Sequence, residues 1–229
     1  MKAVLWPLLR LLFRVRVEGR EHIPTSGAAV VAANHQSFCD SLFIPLVIRR
    51  RVTFLAKAEY FDNKATAWFF RSVGQLPIQR GGGDASARAL TTAREVLGDG
   101  KLIALYPEGT RSTDGNVHRG RTGVARLALE CGVPVVPVGI SGTAAIQPYG
   151  SRMLRPFRVV GVRFGPPMTF DSAGLVDAET GRTSTERLRS FTDGLMREIA
   201  HLADRTYVDE LVDRAKSDVD IGPAQASAS

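Results

Sequence analysis

The sequence predicts an α/β fold: a mainly parallel central sheet flanked by helices, with an N-terminal interfacial membrane helix leading into it. Short runs rich in Val, Leu, Ile and Ala recur along the chain, and helical patterns lie between them. Several of the runs are apolar throughout instead of alternating, as strands covered on both faces are. Strands alternating with helices in this order build parallel sheets, whose ligands lie beyond the carboxyl ends of the strands.

Taken in chain order, the first segment is Met1-Lys2-Ala3-Val4-Leu5-Trp6-Pro7-Leu8-Leu9-Arg10-Leu11-Leu12-Phe13-Arg14. Arg10 and Arg14 interrupt an apolar run that is already shorter than the roughly 18 to 20 residues a span needs, and no small-residue cleavage site follows. An interfacial helix over 1–16 fits better, with Leu, Trp and Phe entering the acyl boundary and Lys2, Arg10, Arg14 and Arg16 meeting anionic headgroups. A first helix packed on the core is the alternative.

Strands are then expected at Ala28–Ala33, Val52–Ala56, Leu76–Ile78, Leu102–Tyr106, Val133–Val138 and Val159–Phe164. Asp84 is placed to cap a helix through Leu97 that Gly98 and Gly100 end, and Gly132 to stop a helix over Thr122–Cys131. Leu188, Phe191, Leu195, Ile199 and Leu202 recur at three- and four-residue steps, the pattern of an amphipathic helix folded back on the core. Ordinary packing and a membrane or acyl-chain surface are both open for Trp68-Phe69-Phe70, but three consecutive aromatics cannot all point one way, so at least one is exposed.

Composition narrows the classes. A chain of 229 residues, 44% hydrophobic, can bury one substantial core, and its 12 Pro and 22 Gly are spread without a linker-like block. We read one domain over 17–215 and a small, polar, disordered tail over 216–229. A net charge of +7 favours an anionic partner. No helix-turn-helix, zinc-finger or aromatic RNA-binding motif is present, which sets nucleic acid aside and leaves anionic membrane lipid or a phosphorylated substrate. Cys39 and Cys131 form no CxxC pattern and the four histidines have no ligand spacing, so neither a metal nor a disulfide framework is expected.

The chemistry lies at two strand ends. The first buried run closes in Asn34-His35-Gln36-Ser37-Phe38-Cys39-Asp40. Positions five apart sit about 140° around a continuous helix, so His35 and Asp40 meet only if the chain turns between them. Were they to meet, Asp40 would fix the imidazole tautomer and leave Nε2 as a general base. Ser37-x-x-Asp40 also reads as a capping box, and both roles can hold at once. The second junction is Pro107-Glu108-Gly109-Thr110-Arg111-Ser112. There Gly109 permits close backbone approach, Arg111 offers a planar fork for phosphate, and Glu108 can orient Arg111 or a hydroxyl. Leu76-Pro77-Ile78-Gln79-Arg80-Gly81-Gly82-Gly83 is a turn or a phosphate-approaching loop.

His35 with Asp40, then Arg80, then Pro107-Glu108-Gly109-Thr110-Arg111, then Val133-Pro134-Val135-Val136-Pro137-Val138, resemble in order the four motif blocks of the glycerolipid acyltransferase family, over roughly Val30 to Gly142. The likeness is greatest to the small bacterial members that acylate 1-acylglycerol 3-phosphate. The resemblance implies that His35 is the general base and Asp40 its orienting partner. It also implies that Glu108, Gly109, Thr110 and Arg111 bind the acceptor, that Arg80 is the arginine of the second block, and that Lys57 contacts phosphate. It further implies a lysophospholipid acceptor such as lysophosphatidate, acyl-CoA or acyl carrier protein as co-substrate, no bound cofactor, and a peripheral or monotopic site on the cytoplasmic face of the cell membrane. Backbone donors near Gly109 would then meet the charge that develops on the carbonyl oxygen. Another phosphate-bearing lysolipid or glycerol 3-phosphate as acceptor, an acyl thioesterase and a non-catalytic anionic-lipid-binding module are the competing readings, and Cys39 is either a packing residue or the start of an acyl-cysteine route.

Overall fold

The computed structural model describes residues 7, 9–72, 74–78, 85–148, 151, 153–170 and 184–212. Among these residues the strands are β1 (Arg14–Glu18), β2 (Ala29–Ala33), β3 (Val52–Lys57), β4 (Gln75–Ile78), β5 (Leu102–Leu105), β6 (Val117–His118), β7 (Val135–Ser141), β8 (Val159–Phe164) and β9 (Tyr207–Val208). The helices are α1 (Asp40–Val47), α2 (Lys64–Ser72), α3 (Ala85–Gly98), α4 (Gly123–Cys131), α5 (Thr143–Ile146) and α6 (Thr185–Ala203). The main sheet has the order β1-β8-β7-β2-β5-β3-β4, with β6 and β9 paired separately. Every neighbouring pair in it is parallel except β7 with β8.

β2 lies near the middle, and all five of its residues are buried. Its side chains alternate between two apolar layers. Ala29, Val31 and Ala33 face Phe43, Ile44 and Val47 of α1, while Val30 and Ala32 face Ala93 and Leu97 of α3, Leu127 of α4 and Leu195 and Ile199 of α6. Burial on both faces is why the strand reads as an unbroken apolar run, and its small alanines let helices approach closely on either side.

Most elements form where the residue pattern places them. Gly132 ends α4 in the left-handed conformation at φ 62, its N–H directed to the carbonyls of Ala128 and Leu129. Leu188, Leu195 and Ile199 are the buried face of α6, whose C-terminal end lies so close to β7 that a Cβ on Gly139 would come within 2.2 Å of the Ala203 nitrogen. Asp84, expected to cap α3, lies outside the described residues, as does the tail expected over 216–229. Trp68 is exposed and Phe70 buried, a split that follows from the helical rotation between them.

The N-terminal segment differs from expectation. Residues 9–12 are helical, but Arg14–Glu18 is an edge strand whose Arg14 pairs with Val159 and Glu18 with Arg163 of β8. Arg14-Val15-Arg16-Val17-Glu18 alternates with period two, and the pattern continues no helix. Leu9 and Phe13 are buried in the core, with Phe13 edge-on to Phe43 at 5.5 Å. Phe13 therefore does not face lipid, and Arg14 and Arg16 project from a strand that opens the domain. Lys2 and Trp6 lie outside the described residues.

β7 runs to Ser141, beyond the expected end at Val138, because β8 continues to pair with it after β2 has stopped. On the vacated side Asn34 takes over the ladder: its Nδ2 donates to the Ile140 carbonyl at 2.9 Å and its Oδ1 accepts from the Ile140 N–H at 2.8 Å. The side-chain amide thus replaces the missing strand just where the chain turns away. An unsatisfied buried backbone group costs about 1–3 kcal/mol, so Asn34→Ala, which strands two of them, is expected to lower stability by about 2–4 kcal/mol in urea denaturation.

Candidate active site

β2 ends at Ala33, and the chain turns through His35 to Ser37 before α1 begins at Asp40. This turn brings the five-residue pair together: His35 Nδ1 lies 2.9 Å from Asp40 Oδ2. The same oxygen accepts the backbone N–H of Gln36 at 2.7 Å and of Ser37 at 2.9 Å. The bond from Ser37 is the reach-back half of a capping box, so the capping and dyad roles coexist on one carboxylate. Asp40 is fully buried while the His35 side chain keeps 15% exposure, enough for its far edge to meet a ligand.

The imidazole is held from a second direction. Its ring stacks on Tyr106 with centroids 3.9 Å apart and planes 8° from parallel, and the Tyr106 hydroxyl is 2.8 Å from Ser41 Oγ. Tyr106 directly follows β5, the neighbour of β2 in the sheet. Asp40 at Nδ1 and the Tyr106 ring against its face together fix the position and plane of the imidazole.

The Glu108-to-Arg111 block joins this centre from β5. The Ser112 N–H donates to the His35 carbonyl at 2.7 Å, tying the two junctions together. Gly109 adopts φ +76, and a Cβ there would sit 3.1 Å from Arg121 Nε, so the position requires glycine and brings a second guanidinium to the loop beside Arg111. The Gly109 N–H closes the turn onto the Tyr106 carbonyl at 3.0 Å.

Glu108 is buried, and neither carboxyl oxygen has a hydrogen-bond partner among the described residues. Burial raises its pKa well above 4.5; the nearby His35 backbone amide opposes that rise without making a well-formed bond, and the charges of Asp40 and Asp114 add to it. Asp114 behaves oppositely. Partial burial acts to raise its pKa, but bonds from His118, Asn116 and Ser112 outweigh this and hold the carboxyl well below the usual range. It braces the chain that follows Arg111 as an anion.

Lys57 ends β3, one strand beyond β5, at the same carboxyl rim. Arg80 lies outside the described residues. Cys39 is buried, with its thiol pushed up to about 11 chiefly by that burial, and its Sγ lies 3.7 Å from Gln147 Oε1. It has the character of a packed thiol rather than a nucleophile. Sequence reasoning missed Asn34, Tyr106 and Arg121. Asn34 and Tyr106 are next to recognised residues, yet their partners Ile140 and His35 are assembled only by the sheet.

A family model described as Acyltransferase matches residues 14–141. The chain is 32% identical over 152 residues to the chloroplastic 1-acyl-sn-glycerol-3-phosphate acyltransferase LPAT1 of Arabidopsis thaliana, covering 65% of this chain and 42% of that protein. It is 24% identical over 200 residues to the 1-acyl-sn-glycerol-3-phosphate acyltransferase of Bacillus subtilis, covering 86% of this chain and 92% of that one. The crystal structure of the 1-acyl-sn-glycerophosphate acyltransferase PlsC from Thermotoga maritima superposes with a TM-score of 0.64 at 29% identity, over 87% of this chain and 75% of the other. The chain spans less than half the length of the Arabidopsis thaliana, Brassica napus and Chlamydomonas reinhardtii relatives it matches.

The raised pKa of Glu108 has a measurable consequence. A carboxyl favoured in its protonated form when folded contributes stability that is full below its ordinary pKa of 4.5 and is lost as pH rises through the folded value. The midpoint of thermal unfolding of the parent is therefore expected to fall relative to that of Glu108→Gln as pH rises above 4.5.

Proposed function

The chain belongs to the acyltransferase family, and on that premise we propose that it moves a fatty acyl group from acyl-CoA or acyl carrier protein to the free hydroxyl of lysophosphatidate, giving phosphatidate. The observation that carries the reading is the 2.9 Å contact between His35 Nδ1 and an Asp40 oxygen that is itself fixed by two backbone amides. The activity named for the plant and Bacillus relatives supports lysophosphatidate as the acceptor.

In the proposed reaction the acceptor hydroxyl gives its proton to His35 Nε2 as its oxygen attacks the thioester carbonyl. Asp40 stabilises the imidazolium that forms. The tetrahedral intermediate collapses with cleavage of the carbon–sulfur bond, and the imidazolium returns the proton to the departing thiolate. No acyl-enzyme is required, in keeping with the buried, high-pKa thiol of Cys39. Arg111, with Lys57 and Arg80 as further cations, is proposed to hold the acceptor phosphate. Glu108, buried without a partner, suits an acceptor hydroxyl or the Arg111 guanidinium once substrate arrives. Gly109 and Thr110 let the backbone approach the ligand. The enzyme would work on the cytoplasmic face of the membrane, bound to anionic lipid from the surface.

The test is thiol release from palmitoyl-CoA in anionic vesicles with and without lysophosphatidate. Removing a general base costs about 10²–10⁴-fold, so His35→Ala is expected to lose acceptor-dependent release by that factor. Asp40→Asn keeps an oxygen for the Gln36 and Ser37 amides but not the charge, so it should fold normally and still lose turnover about 10²–10⁴-fold. Release that ignores the acceptor would identify a thioesterase, and release unaffected by either substitution would remove His35 from the mechanism.

A further inference from the structure

We propose that residues 9–14 and 153–159 together form a docking surface for the headgroup region of an anionic bilayer, set on the same rim of the sheet as His35. Two segments far apart in sequence are sewn side by side: the Phe157 N–H donates to the Leu12 carbonyl at 2.7 Å, and the Arg14 N–H to the Arg158 carbonyl at 3.0 Å. On the outside of this seam stand Leu11, Met153 and Phe157, 77%, 74% and 75% exposed, with Leu154 and Val159 beside them. Large apolar side chains gathered this way mark an interaction surface, since scattered single ones are the norm on soluble faces.

The backbone is arranged to present one of them. Phe157 has φ 60, the left-handed region that an aromatic residue occupies at a cost, and its ring is nonetheless directed outward instead of into the core. Inside the seam Leu9 and Phe13 are buried, so the inner face is anchored while Arg10 and Leu11 point away.

Charge identifies the occupant. The two segments carry Arg10, Arg14, Arg155 and Arg158, all exposed, and no Asp or Glu. Arginines around protruding aliphatic and aromatic side chains match a bilayer whose phosphates lie above its acyl boundary. An acidic protein would answer the arginines but leave Leu11, Met153 and Phe157 unexplained. Among the described residues no helix is long and apolar enough to cross a membrane, so the attachment proposed is to its surface.

Position links the surface to the chemistry. β8 runs against β7, with Gly161 opposite Ser141, so Val159 begins at the carboxyl rim where β2 releases His35. The connection from α5 to the patch touches the dyad loop, where Ser37 Oγ donates to the Gln147 carbonyl at 3.2 Å, and the Arg155 N–H returns to the Ile146 carbonyl at 2.8 Å. A lipid leaving the bilayer at this patch is thus delivered along the edge that carries the catalytic pair. The inference rests on the reading of a lipid acceptor, but its test requires no turnover.

The full chain is sedimented with vesicles of phosphatidylcholine alone or with phosphatidylglycerol added. The parent is expected to partition onto the anionic vesicles. Phe157→Gly combined with Met153→Ser, and separately Arg155→Glu with Arg158→Glu, should each weaken partition about tenfold or more. Phe157→Gly relieves the left-handed backbone, so lost binding with an undiminished unfolding temperature cannot be attributed to misfolding. Acyl transfer to a short-chain, freely soluble lysophosphatidate should be unchanged in these variants. Partition unaffected by both pairs overturns the proposal, as does intact vesicle binding accompanied by lost binding to acyl carrier protein. If no variant or parent transfers acyl groups while the partition pattern is as expected, the docking surface stands and the enzymatic reading fails alone.

Discussion

One carboxylate oxygen organises the centre of this protein. Asp40 Oδ2 accepts from His35 Nδ1 and from the backbone amides of Gln36 and Ser37, and it does so with the residue fully buried. Without the two amides a buried carboxylate would carry a large desolvation penalty or take up a proton. Without the carboxylate the turn between β2 and α1 would have two unanswered N–H groups, and the imidazole would lose its orientation. One atom therefore satisfies the turn and orients the imidazole. Asn34 and Tyr106 extend that arrangement, one fastening the turn to β7 and the other setting the plane of the ring.

The second junction is built in the opposite manner. Three carboxyls, Asp40, Glu108 and Asp114, lie close enough for their charges to be felt, yet only Asp40 and Asp114 are supplied with well-formed hydrogen bonds. Glu108 has neither oxygen bonded among the described residues, where Asp40 lacks a partner at Oδ1 alone. Buried polar atoms without partners are uncommon in folded chains, and at a strand's carboxyl end such an atom is best explained by what binds there. The two junctions thus differ in kind: the His35 side is held by several bonds to one carboxylate oxygen, and the Glu108 carboxyl is held by none among the described residues.

How much of this could be read from residues alone depended on whether a signal was local. His35 and Asp40 were legible because both lie on one short junction, and β2 because its burial on both faces leaves no polar position in the run. β1 was legible in principle: Arg14-Val15-Arg16-Val17-Glu18 alternates cleanly, but its place after an apolar segment made helix continuation the competing reading. The two-residue strands β6 and β9 carry no periodicity at all. The end of β7 was misplaced because it is set by β8, not by its own residues, and Asn34 and Tyr106 acquire meaning only from partners brought in by the sheet.

The position of β1 has a consequence for how the chain is made. Among the described residues Arg14–Glu18 pairs only with β8, so it must wait until Val159–Phe164 has been translated, a contact of very high sequence separation. Through most of synthesis the apolar residues that precede β1 are therefore without the core that later buries Leu9 and Phe13. Closure of the sheet edge is what finally shelters Leu9 and Phe13 and leaves Leu11 exposed, so the burial of this segment waits on the pairing of β1 with β8.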